Sequence, residues 1–97
     1  MAEVRLSPAA QGDLDAIFEF TVAHWGVQQA LRYVQDIAEA CRRLAEQPDL
    51  GLACDHIRAG YRSWRVTRHR SYFRREDFGI AVVRILHERM DVGTRLR

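Results

Sequence analysis

Residues 61–86 read YRSWRVTRHRSYFRREDFGIAVVRIL, and this stretch decides the fold. Tyr61–Val66 and His69–Arg75 are short runs rich in aromatic and β-branched residues, the composition of strands. Thr67-Arg68 separates them by two residues, the length of a tight hairpin turn, although this pair is not favoured there. Glu76-Asp77-Phe78-Gly79 reads as a second turn. Ile80–Leu86 is apolar throughout except for Arg84, a pattern that suits a central strand covered on both faces. Three consecutive strands joined by tight turns predict an antiparallel meander.

Ahead of the meander the periodicity is helical. Residues 2–6 alternate, with Val4 and Leu6 on one side and Glu3 and Arg5 on the other, which predicts one short strand. Ser7 can cap a helix, and Pro8 suits its first position because the missing N–H had no partner there. Leu14, Ile17, Phe18, Thr21, Val22 and Trp25 then share a helical face, and Gly26 ends the helix. A second helix repeats Val27, Ala30, Leu31, Val34, Ile37, Ala38, Cys41, Leu44 and Ala45 at helical spacing, and Gln47-Pro48 ends it. Two amphipathic helices across one glycine form an antiparallel hairpin. Residues 48–60, PDLGLACDHIRAG, read as a loop with one short turn, and a short helical turn is expected near Asp91. The predicted order is β-α-α-β-β-β: an α+β fold with a small, mostly antiparallel sheet and a helical hairpin on one face.

The 97 residues fit one domain, 1–97, with 47% hydrophobic and 29% charged residues. A core of this size gives modest stability, so a partner covering apolar surface would stabilise the fold by mass action. The first fifteen residues carry no signal-like pattern, and the longest apolar run, Ile80–Val83, is far too short to span a bilayer. A cytoplasmic location is therefore expected. All fifteen basic residues are Arg. Residues 1–57 hold four Arg against nine acids (−5), and residues 58–97 hold eleven Arg against four acids (+7), which together give the net +2. A GC-rich genome accounts for the missing Lys, but the clustering points to a partner bearing carboxylates or phosphates.

Chemistry-bearing constellations are sparse. The serines lack a nucleophile-elbow context. Cys41 lies on the apolar face of the second helix as a core thiol, and Cys54 falls in the loop, where partial exposure is expected. The four His and two Cys show no metal-ligand spacing and there is no glycine-rich phosphate loop, so neither metal nor cofactor is expected.

Several segments, in this order and spacing, make the chain similar to the ParE branch of the RelE/ParE toxin superfamily. They are Leu6-Ser7-Pro8-Ala9-Ala10 with Asp13-Leu14; Trp25-Gly26; Ala45-Glu46-Gln47-Pro48; Ile57-Arg58-Ala59-Gly60-Tyr61-Arg62; and Val83-Arg84-Ile85-Leu86-His87-Glu88-Arg89-Met90-Asp91. The resemblance covers essentially the whole chain. It implies a toxin that blocks DNA gyrase without catalysis and is silenced by a ParD-like antitoxin with a flexible C-terminal segment.

On that reading the working surfaces are interfaces. Val22, Trp25, Leu31 and Val34 are the candidates beside the hairpin for the antitoxin, with core packing the plain alternative for each. Arg62, Trp64 and Arg74 are candidates on the Arg-rich sheet, where solvated strand positions are the alternative. The segment carrying Arg84, His87, Arg89, Met90 and Asp91 is the candidate for gyrase. RelE-type relatives cleave messenger RNA in the ribosome, and His87 with Glu88 would have to supply the acid–base groups for that alternative. A third reading is a degenerate toxin that retains antitoxin binding alone.

Overall fold

A computed structural model describes residues 1–96. The elements are β1 (Glu3–Leu6), α1 (Pro8–Trp25), α2 (Val27–Glu46), β2 (Leu52–Ala53), β3 (Tyr61–Val66), β4 (His69–Glu76), β5 (Gly79–His87) and α3 (Val92–Arg95). The sheet order is β1-β5-β4-β3-β2, with β1 parallel to β5 and every other pair antiparallel. The expected α+β order is present, with two differences. The segment after α2 contains a 3₁₀ turn, Pro48–Leu50, and then the two-residue edge strand β2, which was expected to be loop. The central strand is β4, while β5 lies between β1 and β4.

Local chemistry sets these boundaries. The Ser7 hydroxyl accepts the Ala10 N–H at 3.0 Å and Pro8 opens α1. Gly26 has φ +90°, a left-handed conformation that glycine adopts without Cβ strain, so α1 and α2 can meet at a single residue. Thr67, at φ 53°, carries the tight β3–β4 turn. A β-bulge shapes β5: Tyr72 lies opposite Arg84 and Phe73 opposite Val82, so Val83 is an extra residue. The bulge resets the alternation of β5. Ile80, Val82 and Ile85 all join the core under the helices with Ile37, Cys41, Leu44 and Phe73. Leu86, and the half-buried Val83, join a second cluster on the face opposite the hairpin with Cys54, Tyr61, Tyr72 and Leu96. This explains why β5 is apolar on both sides.

Cys54 is fully buried in that second cluster, contrary to the exposure expected of a loop thiol, because the loop folds back and the Cys54 N–H donates to the Tyr61 carbonyl at 2.9 Å. Burial pushes both the Cys41 and the Cys54 thiols up, away from the reactive thiolate.

Two polar junctions tie the helices to the sheet. At the first, β1 ends at Leu6, leaving the outer edge of β5 unpaired beyond Val82. Asp13 on α1 takes over that edge. Its carboxylate accepts the Ile85 N–H at 2.9 Å and both Arg84 Nε and Nη2 at 2.7 and 2.8 Å. The hydrogen bond to Asp13 also raises the Arg84 pKa. Ser7 adds its own N–H to Val82 O and its hydroxyl to Val83 O. At the second junction, the Tyr33 hydroxyl of α2 donates to Val66 O at 3.0 Å and lies 2.7 Å from His69 Nδ1. Burial, and then the neighbouring His87, push the His69 pKa down.

Asp13→Ala is expected to cost about 2–4 kcal/mol of unfolding free energy, because it strands a largely buried guanidinium and a strand N–H together. Urea titration checks this, and a change under about 0.5 kcal/mol would mean that water replaces the carboxylate without loss. The depressed His69 value gives a definite sign with pH. The unfolded chain binds the proton more readily, so this contribution is complete above the ordinary histidine value and is lost as pH falls through about 6.5. Thermal unfolding should therefore show a midpoint that drops between pH 7 and 5, and His69→Asn should flatten that slope.

Candidate functional site

The helical hairpin extends past its core contacts and leaves an apolar tip in solvent. Phe20, Trp25, Val27 and Leu31 are 62, 72, 56 and 51% exposed, values that remove all four from the core. Phe20 stacks on His24 with ring centroids 4.0 Å apart, so the tip is partly ordered without a covering element. Val22 and Val34 are half-buried. Of the four hairpin candidates, then, Trp25 and Leu31 lie at the surface and Val22 and Val34 line its inner margin. Core packing holds instead for Ile17, Thr21, Ala30 and Ile37.

Phe20 and Val27 belong to this surface but were not among the candidate residues. Phe20 falls beside the apolar face of α1, between Ile17 and Thr21 of the core and the solvated side. Its spacing from Asp13, Ala16 and His24 gives little signal of a contact surface.

The sheet candidates do not join the tip. Trp64 is half-buried and packs against the core under the helices. Arg62 donates to the Gly51 carbonyl at 2.8 Å and lies 3.6 Å from Asp49. Arg74 is exposed on the opposite face, where its ion pair with Glu76 at 2.8 Å raises its pKa. The seven residues proposed for one partner therefore occupy separate regions, and an occupant reaching all of them must wrap around the molecule.

The gyrase candidates divide in the same way. Arg84 is held by Asp13 at the α1 junction. Arg89, Met90 and Asp91 lie exposed in the turn before α3, where the Asp91 carboxylate accepts the Gly93 N–H and caps the helix. His87 ends β5 and faces His69 across the β4–β5 pair, with ring centroids 5.2 Å apart. The His87 Nδ1 accepts the Arg89 N–H at 3.1 Å, so the neutral ring carries its proton on Nε2.

Around this pair lies a pocket of about 270 Å³, lined by Arg65, His69, Arg70, Tyr72, His87, Glu88, Met90 and Val92. Of this set His87 and Met90 were candidates for gyrase, and His87 with Glu88 for the ribonuclease alternative. The juxtaposition depends on the β3–β4 and β4–β5 registers, which bring residues 65, 70 and 86–88 together from separate runs. Among the described residues there is no cluster of His, Cys, Asp and Glu that could hold a metal ion, and no helix long and apolar enough to cross a membrane.

Comparison with known proteins accords with this architecture. Residues 4–92 match the family model described as the ParE toxin of the type II toxin–antitoxin system parDE. Toxin ParE1 of Mycobacterium tuberculosis is 46% identical over 92 residues, covering 94% of each chain. Toxin ParE1 of Caulobacter vibrioides is 32% identical over 96 residues, covering 99% of each. Toxin ParE of Escherichia coli is 33% identical over 92 residues, covering 94% of this chain and 89% of that one. A solved structure titled as the chromosomal ParDE TA system from P. aeruginosa contains a similar chain, with a TM-score of 0.76 and 28% identity over 90% of this chain and 96% of that one. The likeness in sequence runs from β1 to the start of α3 and the likeness in fold nearly as far, so this chain belongs to the ParE family of type II toxin–antitoxin toxins.

Proposed function

We propose that this chain is a cytoplasmic toxin that inhibits DNA gyrase by binding it, makes or breaks no covalent bond itself, and is neutralised by a ParD-like antitoxin. The observation that carries the antitoxin half is the uncovered apolar tip of the hairpin. Phe20, Trp25, Val27 and Leu31, all exposed within twelve residues around the Gly26 turn, are costly to leave in water, and exposed apolar surface of this kind marks contact sites. An apolar helix face laid against Trp25 and Leu31 would remove them from solvent. The Arg-rich strands lie on the path to the rest of the molecule and would favour an acidic segment, raising association rate and selectivity more than final affinity. Similarity to a chain from a ParDE system supports this choice of partner.

For gyrase, the exposed turn carrying Arg89, Met90 and Asp91 is the preferred contact, with His87 at its base. Arg84 supports that turn from behind through Asp13 and through its contact with the Arg95 carbonyl at 3.4 Å. One observation favours the ribonuclease alternative, namely the pairing of His87 with His69 where β4 and β5 end. Against it, the Glu88 carboxylate is bound to Arg65 at 2.7 Å, and an Arg guanidinium titrates too high to act as a base.

Purified toxin should halt gyrase supercoiling or trap cleaved DNA, and the antitoxin should reverse this. Normal supercoiling at large toxin excess, together with messenger RNA cleavage that His87→Ala abolishes, would replace this reading with the ribonuclease one. Trp25→Ala should weaken antitoxin binding by roughly 30-fold or more, the scale of a central aromatic anchor. Because Trp25 is solvent-exposed, its unfolding free energy should change by less than about 0.5 kcal/mol. Titration calorimetry and urea unfolding of the same variant measure both quantities.

A further inference from the structure

The pocket at the end of β4 and β5 contains an electrostatic imbalance that the fold does not resolve. Arg65 and Arg70 are directly opposite each other in the β3–β4 register. Like charges at such a cross-strand position repel. Glu88 neutralises Arg65, at 2.7 Å. Arg70 has no carboxylate partner among the described residues. It is half-buried, and its Nη1 donates to the Oγ of the buried Ser63 at 3.0 Å, a neutral acceptor that orients the guanidinium without balancing its charge.

Beside it, Tyr72 is 8% exposed, yet its hydroxyl makes no hydrogen bond to the described residues. Every fully buried polar side-chain atom among them is satisfied, so this hydroxyl reaches the solvent of the pocket that Tyr72 lines. His87 lies outside this set: it pairs with His69, whose ring meets Tyr33 of α2, so its imidazole is on the helix side of the sheet, opposite Arg70 and Tyr72.

We propose that this pocket is an anion site for the phosphate group of a nucleotide, with Arg70 and Tyr72 as its fixed donors and Arg65 at its margin. The donor set suits a phosphate better than a carboxylate. Two guanidiniums and a hydroxyl exceed what the two oxygens of a carboxylate use in plane, and suit three oxygens arranged tetrahedrally. The pocket volume of about 270 Å³ lies at the lower end for small-ligand sites. It holds a phosphate with part of its nucleoside, and no large cofactor. Met90 and Val92 provide an apolar wall for that nucleoside. Glu88 acts as an internal competitor, holding Arg65 until a phosphate displaces it. This site is separate from the hairpin tip, and the inference does not depend on gyrase being the target.

The test is a chemical-shift titration of the isotope-labelled full chain with inorganic phosphate, adenosine 5′-monophosphate, a short single-stranded DNA and an acetylated glutamate peptide. Phosphate and the mononucleotide should shift the amides around Arg70 and Tyr72, and the nucleotide should bind several-fold more tightly. Stronger binding of the oligonucleotide than of the mononucleotide would identify a strand as the source of the phosphate, and the reverse order would identify a free nucleotide. Arg70→Ala and the more conservative Tyr72→Phe should each weaken binding about tenfold, as loss of one charge-assisted hydrogen bond does. Glu88→Gln should tighten it. Shifts spread over all Arg-rich strands, affinity unchanged in Tyr72→Phe, or preference for the glutamate peptide over the nucleotide would each overturn the assignment.

Discussion

The Asp13 carboxylate is the constraint on which the rest of the structure depends. It takes the place of a missing strand: where β1 ends, one side chain from α1 satisfies the next N–H of β5 and clasps the neighbouring Arg84. Neither residue is exposed by more than about a fifth, so the pair works in a medium where a charge without its partner is expensive. The consequence is geometric. With its base fixed to β5, α1 crosses the sheet at one angle, and α2, joined through Gly26, returns across it to the Tyr33–His69 junction. The hairpin is held at two places on the sheet, and its far end projects with Phe20, Trp25, Val27 and Leu31 uncovered. The surface proposed for the antitoxin thus follows from how the core is anchored.

Most of the fold was legible in the sequence because local signals agreed with the tertiary outcome. Ser7-Pro8, Gly26 and Gln47-Pro48 bound the helices where capping chemistry places them, and aromatic and β-branched composition located β3 and β4. Two features were hidden. The strand β2 is two residues long, too short to show any period, and exists because Leu52 and Ala53 lie opposite Ser63 and Arg62. The bulge at Val83 cannot be read from an all-apolar run, since a run with no alternation hides where the alternation resets. Cys54 was misread for a related reason. Its burial comes from the tail residue Leu96 and from Tyr61 and Tyr72, which no local pattern connects to it.

The interaction surfaces were less legible. Helical periodicity places Trp25 and Leu31 on the apolar face but does not say how far the sheet extends beneath them, and that length decides whether they are core or surface. For Arg84, the surrounding motif suggested an exposed role, whereas its partner lies seventy-one positions earlier on α1. The strand-end pocket depends wholly on strand register. In sequence Arg65 and Arg70 are two of many arginines in the Arg-rich half, and they acquire separate roles only when Glu88 is seen to neutralise one guanidinium and not the other.

The account makes the molecule a finished fold with an unfinished surface, so the environment of Trp25 before and after the antitoxin binds is its most direct measure. A Trp64→Phe variant leaves Trp25 as the sole indole. In the free chain its emission should be that of a water-exposed tryptophan and readily quenched by iodide. In the complex the emission should move to the blue and the quenching should fall. An indole already shielded in the free chain, or one that stays open to iodide when the antitoxin is saturating, would contradict the claim that the hairpin tip is the surface left for the partner.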